Sequence, residues 1–263
     1  MEEIYNETRD FWNTKPCGSY MSSYKIYSYE FFQDFDTKFR LLYPYFDEIL
    51  DVEQYRDKKV LLIGLGSGYE LGQISQVTNK LVALDLSNET IELANKRKEV
   101  FNLTLKTVCA SATDMPFEDN SFDALVSIGC LHHIPDIDLV VNELNRVLKK
   151  GATLNIMLYY KYSVRTLFGI YLKRLFLKEY KGLNYEDSIA TAYDGVGNPY
   201  ARLYSKKDVK KVFRGFKDFS FEIENFDSSD LLPRIGRLLP RNFYLKTIGK
   251  IMGLDLYFKA IKE

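Results

Sequence analysis

The chain has 263 residues, 46% of them apolar and 15% aromatic, enough for one large core or two small ones. Lys plus Arg and Asp plus Glu balance at 36 each, so no net field points to nucleic acid. Three cysteines (Cys17, Cys109, Cys130) without metal-ligand spacing argue against a disulfide framework or a zinc centre. The acidic start MEEIYNETRD lacks a signal peptide's apolar segment, and no apolar run is long enough to span a bilayer. These features predict a cytoplasmic protein with no metal and no nucleic-acid partner.

Residues 1–56 read as helical and aromatic, and precede the first strand signal. From about residue 58 the pattern alternates. KVLLIGLG is a short apolar run ending in glycines, a buried strand, and KLVALDLS (80–87) is a second. Ser87 is placed to cap the helix NETIELANKRKEVFN. LTLKTVCAS and FDALVSIG (122–129) are the third and fourth strands. DIDLVVNELNRVLKKG places Val140, Val141, Leu144, Val147 and Leu148 on one helical face, with Lys149-Lys150-Gly151 as its expected stop. ATLNIMLYY (152–160) is the fifth strand. Two more, FSFEIENF and LDLYFKAIK, flank a long basic excursion and predict an antiparallel edge hairpin. The fold class is therefore α/β: a doubly wound, seven-stranded, mostly parallel sheet with a helical N-terminal lid (1–56) and an inserted cap. The main domain would run from 57 to 263, with cap insertions at about 161–204 and 228–250.

Glycines at 64, 66 and 68 close the first strand, where a bare backbone admits a ligand. Asp85, ending the second strand nineteen residues past Gly66, is placed to accept from both hydroxyls of a ribose. A dinucleotide site wants G-x-G-x-x-G, whereas here Tyr69 stands where the third glycine would fall. A ribose without a pyrophosphate is the reading, against the alternative of a strand turn with no ligand.

The stretch ASATDMPFEDNSFDALVSIGCLHHIPD, taken with VLLIGLGSG, LDLS and LNRVLKKG, resembles class I S-adenosylmethionine-dependent methyltransferases, in their type 11 small-molecule group. The resemblance covers about residues 58–158 and implies a Rossmann-like fold with S-adenosyl-L-methionine as cofactor. It implies that Gly64, Gly66 and Gly68 shape the turn under the methionine and ribose parts, that Asp85 holds the ribose hydroxyls and that Leu86 packs on the adenine. It also implies adenine contacts from Ser111, Ala112 and Thr113, and a sulfonium flanked by Ile128 and Gly129. Two positions depart from the family pattern: Leu62 and Ser111 stand where an acid is usual. Both predict softened cofactor affinity, since a neutral hydroxyl is a weaker acceptor than a carboxylate.

Methyl transfer needs acceptor, methyl and sulfur held in line in a dry cavity, with a base if the acceptor carries a proton. The chain's two histidines, His132 and His133, follow the fourth strand and are the candidate bases. Adjacent residues face different ways, so at most one acts, with His132 slightly preferred; packing or capping is the alternative for both. Aromatic residues from Tyr5 to Tyr27, including Trp12, Tyr20 and Tyr24, would form the lid. Asp194, Asn198, Arg202 and Tyr204, in YDGVGNPYARLYS, would touch substrate, or form an Asx turn with a surface arginine.

Val164, Leu167, Phe168, Tyr171, Leu172 and Leu175 form an apolar stripe on a basic helix, and 233–252 holds five basic residues and no acid. The leading expectation is that such stripes become core; peripheral membrane contact and a lipid-like substrate are the alternative. Transfer to an O or N atom of a small molecule is the function this reading implies. A nicotinamide-dependent oxidoreductase and an inactive cofactor- or metabolite-binding protein are its rivals.

Overall fold

Val60, Leu61, Leu62 and Ile63 form β1 (Val60–Ile63) and are buried on both sides, as an apolar run without polar alternation requires of a central parallel strand. The computed structural model describes residues 2–14, 17–230 and 240–263. Beside β1 lie β2 (Leu81–Asp85), β3 (Leu105–Cys109), β4 (Phe122–Ile128) and β5 (Leu148–Tyr159), all parallel. β6 (Phe216–Glu224) and β7 (Asp255–Lys262) complete a seven-stranded sheet in the order β3-β2-β1-β4-β5-β7-β6. β7 runs antiparallel to both neighbours, so the expected hairpin exists with its later strand inside and β6 at the edge. Strand order reverses between β1 and β4, and a crevice opens there beyond their C-terminal ends.

Side chains alternate across the sheet. Leu61 and Ile63 join Val140 and Leu144 in one core, while Val60 and Leu62 join Phe46 and Tyr69 in the other. Leu62 thus sits on a wholly packed face and does not reach the crevice. The first core is built on α6 (Ile137–Val147), whose apolar positions are those read from the sequence. Its end differs from expectation. Amide groups of Asn120 and Ser121 take the carbonyls of Arg146 and Val147, which draws the chain directly into β5. Lys149, Lys150 and Gly151 are therefore strand residues and not a helix stop. α5 (Asn88–Phe101) begins as expected, with the Ser87 hydroxyl accepting from the Thr90 amide at 3.1 Å.

The N-terminal region divides. α2 (Tyr29–Leu42) and α3 (Phe46–Leu50) supply Phe35, Phe46, Ile49 and Leu50 to the second core and cover the sheet. α1 (Glu2–Thr14) and the residues from Cys17 to Met21 also line the crevice, as do Phe35, Phe39, Leu42, Tyr43 and Phe46. The bonds that tether α1 and Cys17 include Ser87 Oγ to Asn13 Oδ1 (2.8 Å), Ser67 Oγ to the Cys17 carbonyl (2.7 Å) and the Tyr5 hydroxyl to Asp136 Oδ2 (3.3 Å).

The cap contains a π-helical turn (Arg165–Gly169), α7 (Ile170–Phe176) and α8 (Tyr185–Asp194). Its stripe overturns the core expectation. Val164 and Ile170 are buried, but Leu167, Phe168, Tyr171 and Leu175 are exposed and Arg165 is buried in their place. The wider π turn offsets the residues beyond it from a 3.6 spacing, and Arg165 is held inward by Asp230 (2.8 Å) and Asp227 (2.8 Å). Of the second basic segment, Arg241–Lys246 and Gly249–Met252 are helical, whereas 231–239 lie outside the described residues. No helix among the described residues is long and apolar enough to cross a membrane.

Candidate active site

The crevice is a cavity of about 780 Å³, near the upper end of the roughly 300–1,000 Å³ usual for ligand sites. Its floor is the glycine turn. Gly64, Gly66 and Gly68 have φ of +79°, +47° and +81°, the left-handed region that disfavours side chains. The chain itself crowds Gly64: a Cβ there would lie 2.6 Å from Cys130 Sγ.

Asp85 lines the cavity with both carboxylate oxygens engaged, Oδ2 by the Leu65 amide (2.8 Å) and Oδ1 by the Ser87 amide (2.9 Å). Burial pushes its pKa up against those bonds. Each oxygen keeps a second lone pair for a diol, and the amide bonds fix the carboxylate's plane. Leu86, Ser111, Ala112, Ile128 and Gly129 also line the cavity; Thr113 does not. Instead the Thr113 hydroxyl pairs with Ser111 Oγ at 2.7 Å, and its amide donates to the same oxygen at 3.2 Å.

The two histidines part company on a tight turn, Leu131–His133. His133 lines the cavity. Its Nδ1 lies 2.9 Å from the Tyr200 carbonyl, a contact that requires the proton on Nδ1 and leaves Nε2 as the base. Nε2 has no hydrogen-bond partner among the described residues and lies 3.8 Å from Asp194 Oδ2. Asp194 is in turn fixed by the Tyr159 hydroxyl (2.6 Å) and by Asn198 Nδ2 (2.8 Å). Trp12 from the lid meets the His133 ring edge-on at 5.2 Å. His132, the preferred candidate of the sequence reading, is fully buried outside the cavity and stacked on Tyr159 at 3.7 Å. Burial and the neighbouring imidazole hold its pKa well below 6.5.

Of the expected lid and substrate residues, Tyr20 stands at the cavity rim and Asp194 inside it. Tyr24 is exposed away from it, and Asn198 acts through Asp194. Arg202 and Tyr204 do not line the cavity. Tyr204 is fully buried in the sheet core and bridges Tyr160, while the Arg202 guanidinium lies over its ring. Tyr204 is thus packing, whereas Arg202 stays at the surface beyond an Asx turn in which Asn198 Oδ1 accepts from the Tyr200 amide (3.3 Å), the alternative read from the sequence.

Sequence reasoning missed two acids in the cavity wall. Glu70, in the first turn of α4 (Tyr69–Ile74), is pushed up to about 7 by burial. Asp255 is 4% exposed and is likewise pushed to about 7, with Asn225 as its hydrogen-bond partner. Because β7 runs backwards, its first residue lies opposite Tyr159 at the ligand edge of the sheet. Tyr43, Tyr159, Tyr193, Phe226 and Tyr257 make this far chamber aromatic, and Arg241 closes it, donating to the Leu42 and Phe226 carbonyls. No cluster of three or more His, Cys, Asp or Glu fit for a metal occurs among the described residues.

Residues 61–156 match the family described as "Methyltransferase domain". Demethylmenaquinone methyltransferases of Bacillus cereus and Bacillus anthracis are 29% identical over 161 residues, 55% of this chain. That match covers 64% of the relatives' length. Among solved structures, a Haloferax volcanii methyltransferase in complex with the Trm112 activator superposes with a TM-score of 0.62 at 16% identity, over 86% of this chain and 93% of that one. Geranyl diphosphate C-methyltransferase from Streptomyces coelicolor, in complex with S-adenosyl-L-homocysteine, reaches 0.61 at 14% identity over 98% of both chains. At such identities these structures establish the fold, and the domain match is confined to residues 61–156. With a seven-stranded sheet of this order and the glycine turn and Asp85 at its switch point, the chain has the class I S-adenosylmethionine-dependent methyltransferase fold, and its residues 61–156 match the type 11 methyltransferase domain.

Proposed function

We propose that the protein transfers a methyl group from S-adenosyl-L-methionine to an O or N atom of a small, largely apolar acceptor. The observation that carries this is one continuous cavity joining Asp85 and the glycine turn to the bare Nε2 of His133. Asp85 would take the ribose hydroxyls and Leu86 and Ala112 would flank the adenine. Ser111 and Thr113 already satisfy each other, which leaves the adenine amino group only a shared, neutral acceptor there. Glu70 is the acid placed to receive the methionyl ammonium. The cofactor, when bound, supplies a methyl group already activated on a positive sulfur.

His133 Nε2 would remove the acceptor's proton, and Asp194 at 3.8 Å would stabilise the imidazolium that results. A base so placed contributes about 10²–10⁴ in rate. Trp12 excludes water above the ring, and Ile128 and Gly129 border the path of the methyl group. A flat, apolar acceptor bearing a hydroxyl or an amine suits the chamber of Tyr43, Tyr159, Tyr193, Phe226 and Tyr257. The nicotinamide reading is disfavoured because Tyr69, where its third glycine would fall, is buried and bonded to Asp47 and Arg40.

Calorimetry with S-adenosyl-L-methionine and transfer of its tritiated methyl group to a panel of phenols and amines test the proposal. Asp85→Ala should weaken cofactor binding at least tenfold, as expected for loss of charge-assisted bonds. His133→Ala should bind the cofactor normally and transfer about 10²–10⁴ times more slowly. Unchanged affinity in the first variant, or unchanged turnover in the second, would refute the corresponding assignment.

A further inference from the structure

We infer that the outer face of the cap docks on an anionic lipid bilayer. Leu167, Phe168, Tyr171, Leu175, Phe176 and Leu177 are 47%, 57%, 65%, 59%, 76% and 42% exposed, six large apolar side chains within eleven residues. Tyr171 and Leu175 stand four apart within α7, so they share one side of that helix. An apolar surface that contiguous marks an interaction site, whereas scattered exposed residues mean nothing.

The opposite side of the same segment is firmly seated. Ile170 packs on Ile189, Ala190 and Ala201. Arg165 and Lys173 both bind the buried Asp230, and both also line the cavity. The exposed face is therefore the back of a cavity wall, one helix away from the aromatic chamber. Charge decides the occupant. From 161 to 187 six basic residues stand against three acids; Arg165 and Lys173 turn inward to Asp230, and Arg174, Lys178 and Lys181 are exposed in the same stretch of chain as the apolar side chains. Apolar residues that enter the headgroup layer, flanked by cations that meet lipid phosphates, are the signature of a helix lying in an anionic interface. Docking in this orientation would bring the cavity to the bilayer, which gives the apolar acceptor of the reading above a source; that link alone rests on that reading.

Flotation of the full chain with vesicles tests the docking. The protein should float with mixed phosphatidylglycerol–phosphatidylcholine vesicles, less at raised salt, and little with phosphatidylcholine alone. The Phe168→Glu/Phe176→Glu variant should partition about tenfold less or worse, with unchanged calorimetric affinity for S-adenosyl-L-methionine as proof of folding. Leu41→Glu, 75% exposed on α2, should float like the wild type. Failure of the wild type to float, equal binding to neutral vesicles, or undiminished binding of the double variant would each overturn the inference, and the first would leave a protein partner as the occupant. Flotation without cofactor affinity would instead overturn the methyl-transfer reading and leave the docking intact.

Discussion

Asp255→Asn removes one titrating group from the cavity wall while keeping its shape. In the unfolded chain this carboxyl has its ordinary value of 3.8, and burial in the fold pushes it to about 7. Between those values the folded state holds a proton that the unfolded state has lost. The group therefore contributes stability that is complete below 3.8 and disappears as pH rises through 7. Each tenfold difference in proton affinity is about 1.36 kcal/mol, so the wild type should lose about 2.5 kcal/mol from this residue between about pH 5 and pH 8. Glu70 acts in the same direction and His132, held below its ordinary 6.5, acts in the opposite one. Both are present in the two proteins and cancel in the difference. Urea denaturation across this range should show the variant gaining about 2.5 kcal/mol relative to wild type towards the alkaline end. Parallel stability curves would show that Asp255 ionises normally in the fold, and the reasoning from its burial would fail.

Gly64→Ala and Gly151→Ala separate two costs of a side chain at positive φ, since both glycines have φ of +79°. At Gly151 nothing lies within 4 Å, so only backbone strain applies, about 1 kcal/mol. At Gly64 the collision with Cys130 adds about 1–3 kcal/mol, and equal melting temperatures for the two variants would contradict the packing described. Arg97→Met leaves Asp36 without its partner at 2.5 Å and should cost about 3 kcal/mol in urea denaturation. Adding Asp36→Leu should restore part of the loss; a strictly additive double variant would deny the pairing.

The parallel strands, the glycine turn and Asp85 were legible because they depend on local sequence. An apolar run, three glycines and an acid at a strand end occupy the same place wherever such a sheet forms. The histidines were legible as a pair only. Which of two neighbours enters the cavity is decided by a three-residue turn and by the Tyr200 carbonyl, 67 positions away. Asp255 was invisible because its place follows from β7 running antiparallel between β5 and β6. The cap stripe was read in the right residues and the wrong direction. Arg165 takes the inside because Asp227 and Asp230, more than sixty residues later, hold its charge there. Arg202 and Tyr204 had the chemistry of ligand contacts; Tyr204 is buried packing instead, and Arg202 stays at the surface with its guanidinium over the Tyr204 ring.

The serine tethers of Asn13 and Cys17 have a kinetic meaning. Ser67 and Ser87 stand next to Gly66, Gly68 and Asp85, so the roof is fastened to the very loops that would grip the nucleoside. Each fastening is a single neutral hydrogen bond, about 1 kcal/mol, far weaker than the packed sheet beneath. The roof then lifts more readily than the sheet beneath it. A nucleoside that steadies those loops would steady the roof as well, so reactants would load in order and the speed of each cycle would be set by how often the roof opens to release what has been made.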